Sequence, residues 1–224
     1  NTAILSGDAM LVLAYQFMAE CPSTFLKEVM DLFSLTALEI CEGQQMDMEF
    51  EQRNDVTAEE YLEMIRLKTA VLLAASLKIG ARLGGASVED ADRLYDFGMH
   101  IGVAFQLKDD LLDVYGNAKV FGKNIGGDIL CNKKTYMLIK ALEHANADQH
   151  NQLNSWINAE TFQPAEKIAA VTELYDRIGV KAVCENKILE YSNRAMESLA
   201  AVSIAEEKKE ELKKIIENLI HREV

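Results

Sequence analysis

The sequence predicts an all-α protein, a single-domain helical bundle, and three observations carry that expectation. Two prolines, Pro22 and Pro164, and twelve glycines are the only strong helix breakers in 224 residues, so long helices are open to the chain. The residue balance favours Ala, Leu, Glu, Lys and Met over β-branched runs, which lowers the cost of helix formation. Hydrophobic residues make up 49% of a chain long enough to bury a full core. No sequence repeat, low-complexity tract or interdomain linker divides it, so residues 1–224 are read as one domain.

Each element has its own signal. Ser6-Gly7-Asp8 opens a first helix carrying Met10, Leu11, Leu13, Ala14 and Phe17. Pro22 suits the first turn of a second helix, where its missing N–H costs nothing; that helix runs toward Glu42 and past it. Phe25, Val29, Leu32, Phe33, Leu35 and Leu38 give it the composition of a buried helix. Thr57-Ala58-Glu59-Glu60 is a capping box for a helix reaching about Leu83. Ser87, followed by Val88, Glu89 and Asp90, starts another that reaches Val114. A glycine-rich connector, Tyr115 to Asp128, precedes a helix from Ile129 to about Ala145. The polar segment Asp148 to Gln163 has no assigned element. Pro164 opens a helix that Gly179 ends, and Val180 to Ala201 forms the next. Ser203-Ile204-Ala205-Glu206 reads as a second capping box for a charged last helix, Glu206 to Glu223.

The formal net charge of −13 argues against nucleic acid as a partner, because phosphate contacts need a basic surface. A polyanionic ligand would need local lysines, metal cations or both. Cys21, Cys41, Cys131 and Cys184 are scattered without paired spacing, which suggests neither a disulfide framework nor a zinc site and fits a reducing, cytoplasmic setting. No stretch reads as apolar enough to span a bilayer, and no secretory signal is visible.

The chemistry concentrates in Phe105-Gln106-Leu107-Lys108-Asp109-Asp110-Leu111-Leu112-Asp113. At 3.6 residues per turn, Gln106, Asp109, Asp110 and Asp113 fall within an arc of roughly 100°. Carboxylates this close repel one another. Oxygen ligands of this kind suit Mg²⁺, which takes one or two carboxylates and completes its shell with water and substrate phosphates. A solvated acidic face in an acidic protein is the plainer reading. Gly102, one turn before Gln106, is expected to leave room for a ligand. Phe121-Gly122-Lys123-Asn124-Ile125-Gly126-Gly127-Asp128 follows, with Lys133 and Lys134 soon after. Glycines let backbone amides approach a ligand, and lysines act as compact charges for phosphate. Asp128 is also well placed to N-cap the next helix.

These segments together closely resemble the second aspartate-rich region of the trans-isoprenyl diphosphate synthases, the polyprenyl synthetase family. Three companions occur in the family's order: Ser6-Gly7-Asp8 looks like its Gly-Asp helix start, Gly43-Gln44-Gln45-Met46-Asp47 matches Gly-Gln-x-x-Asp, and Lys68-Thr69 matches Lys-Thr. The resemblance runs from the first residue to about Leu142.

It implies an all-α isoprenoid-synthase fold, a homodimer, and Mg²⁺-dependent condensation of isopentenyl diphosphate with an allylic prenyl diphosphate. Metals and lysines would stabilise the departing diphosphate as the allylic carbon–oxygen bond ionises. Carried over, Asp109 is a direct metal ligand, Asp110 and Asp113 support the metals, and Asp128 acts through water. Lys68, Lys123 and Lys133 meet the allylic diphosphate. Thr69, Gln106, Gln44 and Asp47 line the reacting end. Phe17, Met10, Met18, Phe105 and Met99 suit a prenyl pocket, although such a stripe is more often core.

The family's first aspartate-rich motif, Asp-Asp-x-x-Asp or a longer variant followed by two arginines, belongs upstream of Ser6-Gly7-Asp8 and is not in these residues. The expectation is a piece of an ordinary synthase, with weak or no turnover by this chain; a noncatalytic partner subunit is the alternative. A class I terpene cyclase would need Asn/Asp-Asp-x-x-Ser/Thr-x-x-x-Glu; Asn54-Asp55 begins it, but Ala58 stands where the hydroxyl ligand belongs. A helical interaction protein with acidic faces is the remaining alternative, best suited to the charged last helix.

Overall fold

A computed structural model describes residues 2–116 and 125–220. The elements are α1 (Thr2–Ala19), α2 (Ser23–Phe50), α3 (Ala58–Ile65), a π-helical turn (Arg66–Ala70), α4 (Val71–Leu83), α5 (Val88–Tyr115), α6 (Gly127–Leu130), α7 (Tyr136–His144), α8 (Ala147–Ile157), α9 (Pro164–Ile178), α10 (Val180–Ala200), a 3₁₀ turn (Glu206–Lys208) and α11 (Glu210–Ile220). No β-strand occurs among the described residues, and the all-α bundle stands.

The bundle is organised on α5, which packs between α4 and α10. Phe97, Ile101, Val103, Ala104, Leu107 and Leu111 are buried along it. Gly98 sets the spacing to α4 and Gly102 the spacing to the π turn that leads into it: a Cβ on Gly98 would lie 2.6 Å from Ala74 Cα, and one on Gly102 would lie 2.6 Å from Ala70 Cα. Side chains of any size would hold the two helices apart. Gly102 therefore makes room for a neighbouring backbone, which corrects the expectation that it makes room for a ligand.

Several predicted boundaries hold. Thr57 forms the capping box with Glu60, Ser87 caps α5, Pro164 opens α9, and Gly179 ends it at φ 85°. Others change. The first helix starts at Thr2, so Ser6-Gly7-Asp8 lies inside α1. Leu35 and Leu38 are exposed on α2, which buries Val29, Thr36, Gly43 and Phe50 instead. The expected helix 129–145 breaks into α6 and α7, because Asn132 turns left-handed (φ 52°) and Thr135 caps a new helix. The unassigned polar segment contains α8, started by an Asn146–Gln149 capping box. Ser203 does not cap: its backbone N–H donates to Asp90 Oδ1 (2.8 Å), and its hydroxyl accepts from Arg93 (3.3 Å).

One composition reading is corrected outright. α1 is 18 residues long with a mean hydropathy of 1.3 and none of it buried, so it is long and apolar enough to cross a membrane by length and composition. One such helix near an N-terminus is weak evidence for a span, since core helices and signal sequences have the same character.

Candidate active site

Asp110 is the deepest of the four polar residues on the α5 face, 3% exposed. Burying a carboxylate without partners is expensive, and two partners meet it. Tyr61 of α3 donates its hydroxyl to Oδ2, and Gln106 Nε2 donates to Oδ1 (3.1 Å). Gln106 Oε1 in turn accepts from Thr69 Oγ1 (3.2 Å) in the π turn. One hydrogen-bonded chain thus joins Thr69, Gln106, Asp110 and Tyr61 across three elements. Burial pushes the Asp110 carboxyl up to about 7, against the Tyr61 hydrogen bond and the Lys133 charge that pull it down. Burial, then the Asp110 charge, pushes the Tyr61 phenol well above its usual range.

The Gly-Gln-x-x-Asp and Lys-Thr segments meet for a steric reason. A Cβ on Gly43 would collide with the Lys68 backbone nitrogen and with Leu67, so α2 can press on the π turn only at glycine. One helical turn later Asp47 pairs with Lys68 Nζ at 2.6 Å. The π turn carries both Lys68 and Thr69; such insertions recur at functional sites, and nothing in the local composition announced this one. Gln44 is exposed and meets no partner among the described residues.

A third cluster closes the floor. Gly126, left-handed at φ 83°, donates its N–H to the Asp113 carbonyl (2.6 Å). That turn aims the Asp128 N–H at Asp113 Oδ2 (2.9 Å). The N-cap position of α6 belongs to Gly126, and Asp128 sits inside its first turn, which corrects the reading of Asp128 as an N-cap. The Asp128 carboxylate faces Lys133 Nζ at 3.5 Å. Burial raises Asp128 above the usual carboxylate range; Lys133 opposes the rise, while Asp113 and Asp109 add to it. Burial alone would lower the Lys133 ammonium, but the charges of Asp128, Asp110 and Asp47 outweigh it and hold the group above its usual range. Asp109 is half-buried on α5. Lys123 lies outside the described residues.

The carboxylates of Asp109, Asp113 and Asp128 offer hard oxygen donors, and the rise at Asp128 comes first from its burial beside Lys133. Among the described residues no three metal-binding side chains close around one point. Mg²⁺ fits such an open set, because it keeps waters and shares substrate oxygens.

Beside this polar region lies an apolar cavity of about 960 Å³. Lys68, Thr69, Ser76 and Asn218 are the polar residues of its lining, and Leu73, Phe105, Leu212 and Ile215 are among its apolar walls. Of the five residues suited to a prenyl pocket by sequence, Phe105 is in the wall; Met10, Phe17, Met18 and Met99 are not. Tyr61 had no local signal: it sits 49 positions from Asp110 on an apolar face of α3.

The family model described as polyprenyl synthetase matches residues 1–175. This chain belongs to the polyprenyl synthetase family. The short chain isoprenyl diphosphate synthase of Methanothermobacter thermautotrophicus is 36% identical over 222 residues, 99% of this chain and 67% of that protein. A crystal structure of a geranylgeranyl pyrophosphate synthase superposes with a TM-score of 0.94 at 38% identity, covering all of this chain and 69% of the other. The geranylgeranyl pyrophosphate synthase of Corynebacterium glutamicum, solved with isoprenyl diphosphate and magnesium, superposes with a TM-score of 0.88 at 29% identity, covering 98% of this chain and 62% of that one. The chain spans roughly two thirds of the length of these relatives.

Proposed function

We propose that this chain carries the allylic-diphosphate half of a trans-prenyltransferase site, in a protein that condenses isopentenyl diphosphate with an allylic diphosphate to a short-chain trans-prenyl diphosphate. One observation carries the reading: Lys68 and Thr69 belong both to the polar cluster and to the lining of the apolar cavity. A ligand with an anionic head and a hydrocarbon tail matches that junction, since each buried CH₂ contributes about 0.8 kcal/mol.

Lys68 and Lys133 meet the diphosphate head, as does Lys123 on the strength of the sequence resemblance. Asp109, Asp113 and Asp128 would hold Mg²⁺, with Asp110 supporting from within; the chemistry a bound ion would supply there is neutralisation of charge on the leaving diphosphate. Thr69 and Gln106 present oxygen dipoles where the carbon–oxygen bond breaks, their orientation held by the hydrogen bond between them, and Asp47 fixes Lys68. Gln44 stands at the edge of this arrangement. The cavity walls take the hydrocarbon and exclude water from the reacting end. A homodimer is part of this reading; the exposed Ile4, Leu11 and Phe17 of α1 supply an apolar surface suited to it. Because the family's first aspartate-rich motif is not in these 224 residues, we expect them to bind diphosphates with Mg²⁺ and to turn over weakly or not at all.

Calorimetry tests the reading directly. With Mg²⁺, farnesyl diphosphate is expected to bind more tightly than inorganic pyrophosphate, and Asp109→Ala to weaken both by at least about tenfold. Equal affinities for the two ligands would remove the cavity from the reading, and an unaffected Asp109→Ala variant would remove the metal role.

A further inference from the structure

Lys167 of α9 is 1% exposed, and no sequence motif singles it out. Among the described residues no carboxylate forms an ion pair with it. Its ammonium donates instead to Asn132 Oδ1 (2.7 Å) and approaches the Leu130 carbonyl (3.5 Å), and it lies 4.2 Å from the centroid of the Phe162 ring. A buried ammonium keeps such a place only when its donors are used.

Asn132 is the one non-glycine residue at positive φ among the described residues. Both ends of its amide are engaged: Oδ1 accepts from Lys167, and Nδ2 donates to the Ile157 carbonyl at the end of α8 (2.9 Å). Asparagine tolerates the left-handed region better than most residues, but still at a cost that surrounding contacts must offset. The turn it makes has one consequence for the site. It returns Lys133 over α6, where its N–H reaches the Asp128 carbonyl (3.0 Å) and its ammonium faces the Asp128 carboxylate. Asp128, Lys133 and Lys167 border one cavity of about 10 Å³, the scale of a single water.

We propose that Lys167 is a positioning residue for the diphosphate and metal site: its ammonium clamps Asn132 and the Leu130 carbonyl, and so holds the left-handed turn that delivers Lys133 to Asp128. The role rests on the prenyltransferase reading of that site. A methionine of similar length would fill the space but leave the half-buried Asn132 and Leu130 oxygens without their Lys167 donor, and the turn would lose what holds it.

The test uses this chain with Mg²⁺ and inorganic pyrophosphate as the probe. Lys167→Met is expected to keep its helical content, to lose hydrogen-exchange protection at residues 130–134, and to weaken pyrophosphate binding about tenfold, as loss of an outer-shell partner does. Lys167→Arg, which retains donors, is expected to restore part of that affinity. The decisive readout is a double-mutant cycle: in a Lys133→Ala background, Lys167→Met should change affinity by less than about twofold, because its effect passes through Lys133. Wild-type affinity in Lys167→Met, or losses that multiply in the double variant, overturns the positioning role. Should Lys167→Met fail to fold, Asn132→Gly, which keeps the left-handed backbone and deletes the amide, carries the same expectation and the same cycle. A wild-type chain that binds no pyrophosphate with Mg²⁺ overturns the prenyltransferase reading itself, and that result appears before any variant is made.

Discussion

Asp110 illustrates how burial separates residues that look equivalent in a string of aspartates. Asp109, Asp110 and Asp113 share one helix face, yet only Asp110 is enclosed, with Tyr61 and Gln106 as its donors. Its carboxyl is pushed from 3.8 to about 7, so between those pH values the folded state holds a proton that the unfolded state has released. Stability of the metal-free chain therefore falls as pH rises through that window. Asp110→Asn removes this titration. Melting curves recorded from pH 4 to about 7 should show a smaller decline for the variant than for the wild type, and parallel curves would refute the assignment. The acidic cluster was legible in the sequence because spacing alone puts these residues on one face. Which of them is buried was not, because Tyr61 comes from another helix.

At the scale of elements, contact between backbones governs. α5 meets α4 through Gly98 and the π turn through Gly102, and α2 meets the π turn through Gly43. Gly102→Ala is expected to destabilise the chain by about 1–3 kcal/mol, because the new methyl meets the backbone of Ala70 and the helices cannot separate without disturbing the core. Gly7→Ala provides the contrast: nothing lies within 4 Å of a Cβ there, so the change should stabilise α1 by roughly 0.5–1 kcal/mol through helix propensity. Denaturant titration of both variants separates a packing glycine from a merely permissive one. The capping signals at Thr57, Ser87 and Pro164 were legible because caps are local. The break at Asn132 was not, since helix formers flank it and its left-handed turn is held by Lys167 and Ile157 from distant elements.

At the scale of the whole molecule, α1 touches α2 through Tyr15 but leaves most of its apolar residues uncovered. Its Ile4, Leu5, Met10, Leu11, Val12, Leu13 and Phe17 are all exposed, a larger apolar face than a lone soluble helix ordinarily shows. The homodimer reading predicts that sedimentation equilibrium gives twice the chain mass. It also predicts that Leu11→Glu, which places a charge on that face, shifts the molecule toward monomer while leaving the α5-centred core melting unchanged. A wild-type chain that remains monomeric at micromolar concentration would falsify the dimer.

The sequence by itself determined the helical class, the helix starts at Thr57, Ser87 and Pro164, the acidic face and the family resemblance, because each depends on the identity and spacing of residues within a single segment. Tertiary structure alone decided that Lys68 pairs with Asp47, that Asp110 is buried against Tyr61, that Gly102 seats a helix, and that an apolar cavity opens beside Lys68 and Thr69. The physical reason is the same in each case. Spacing sets the direction in which a side chain leaves its helix, while burial and partnership depend on which other helix arrives there. On α5 that arrival is controlled by the absence of two side chains, at Gly98 and Gly102.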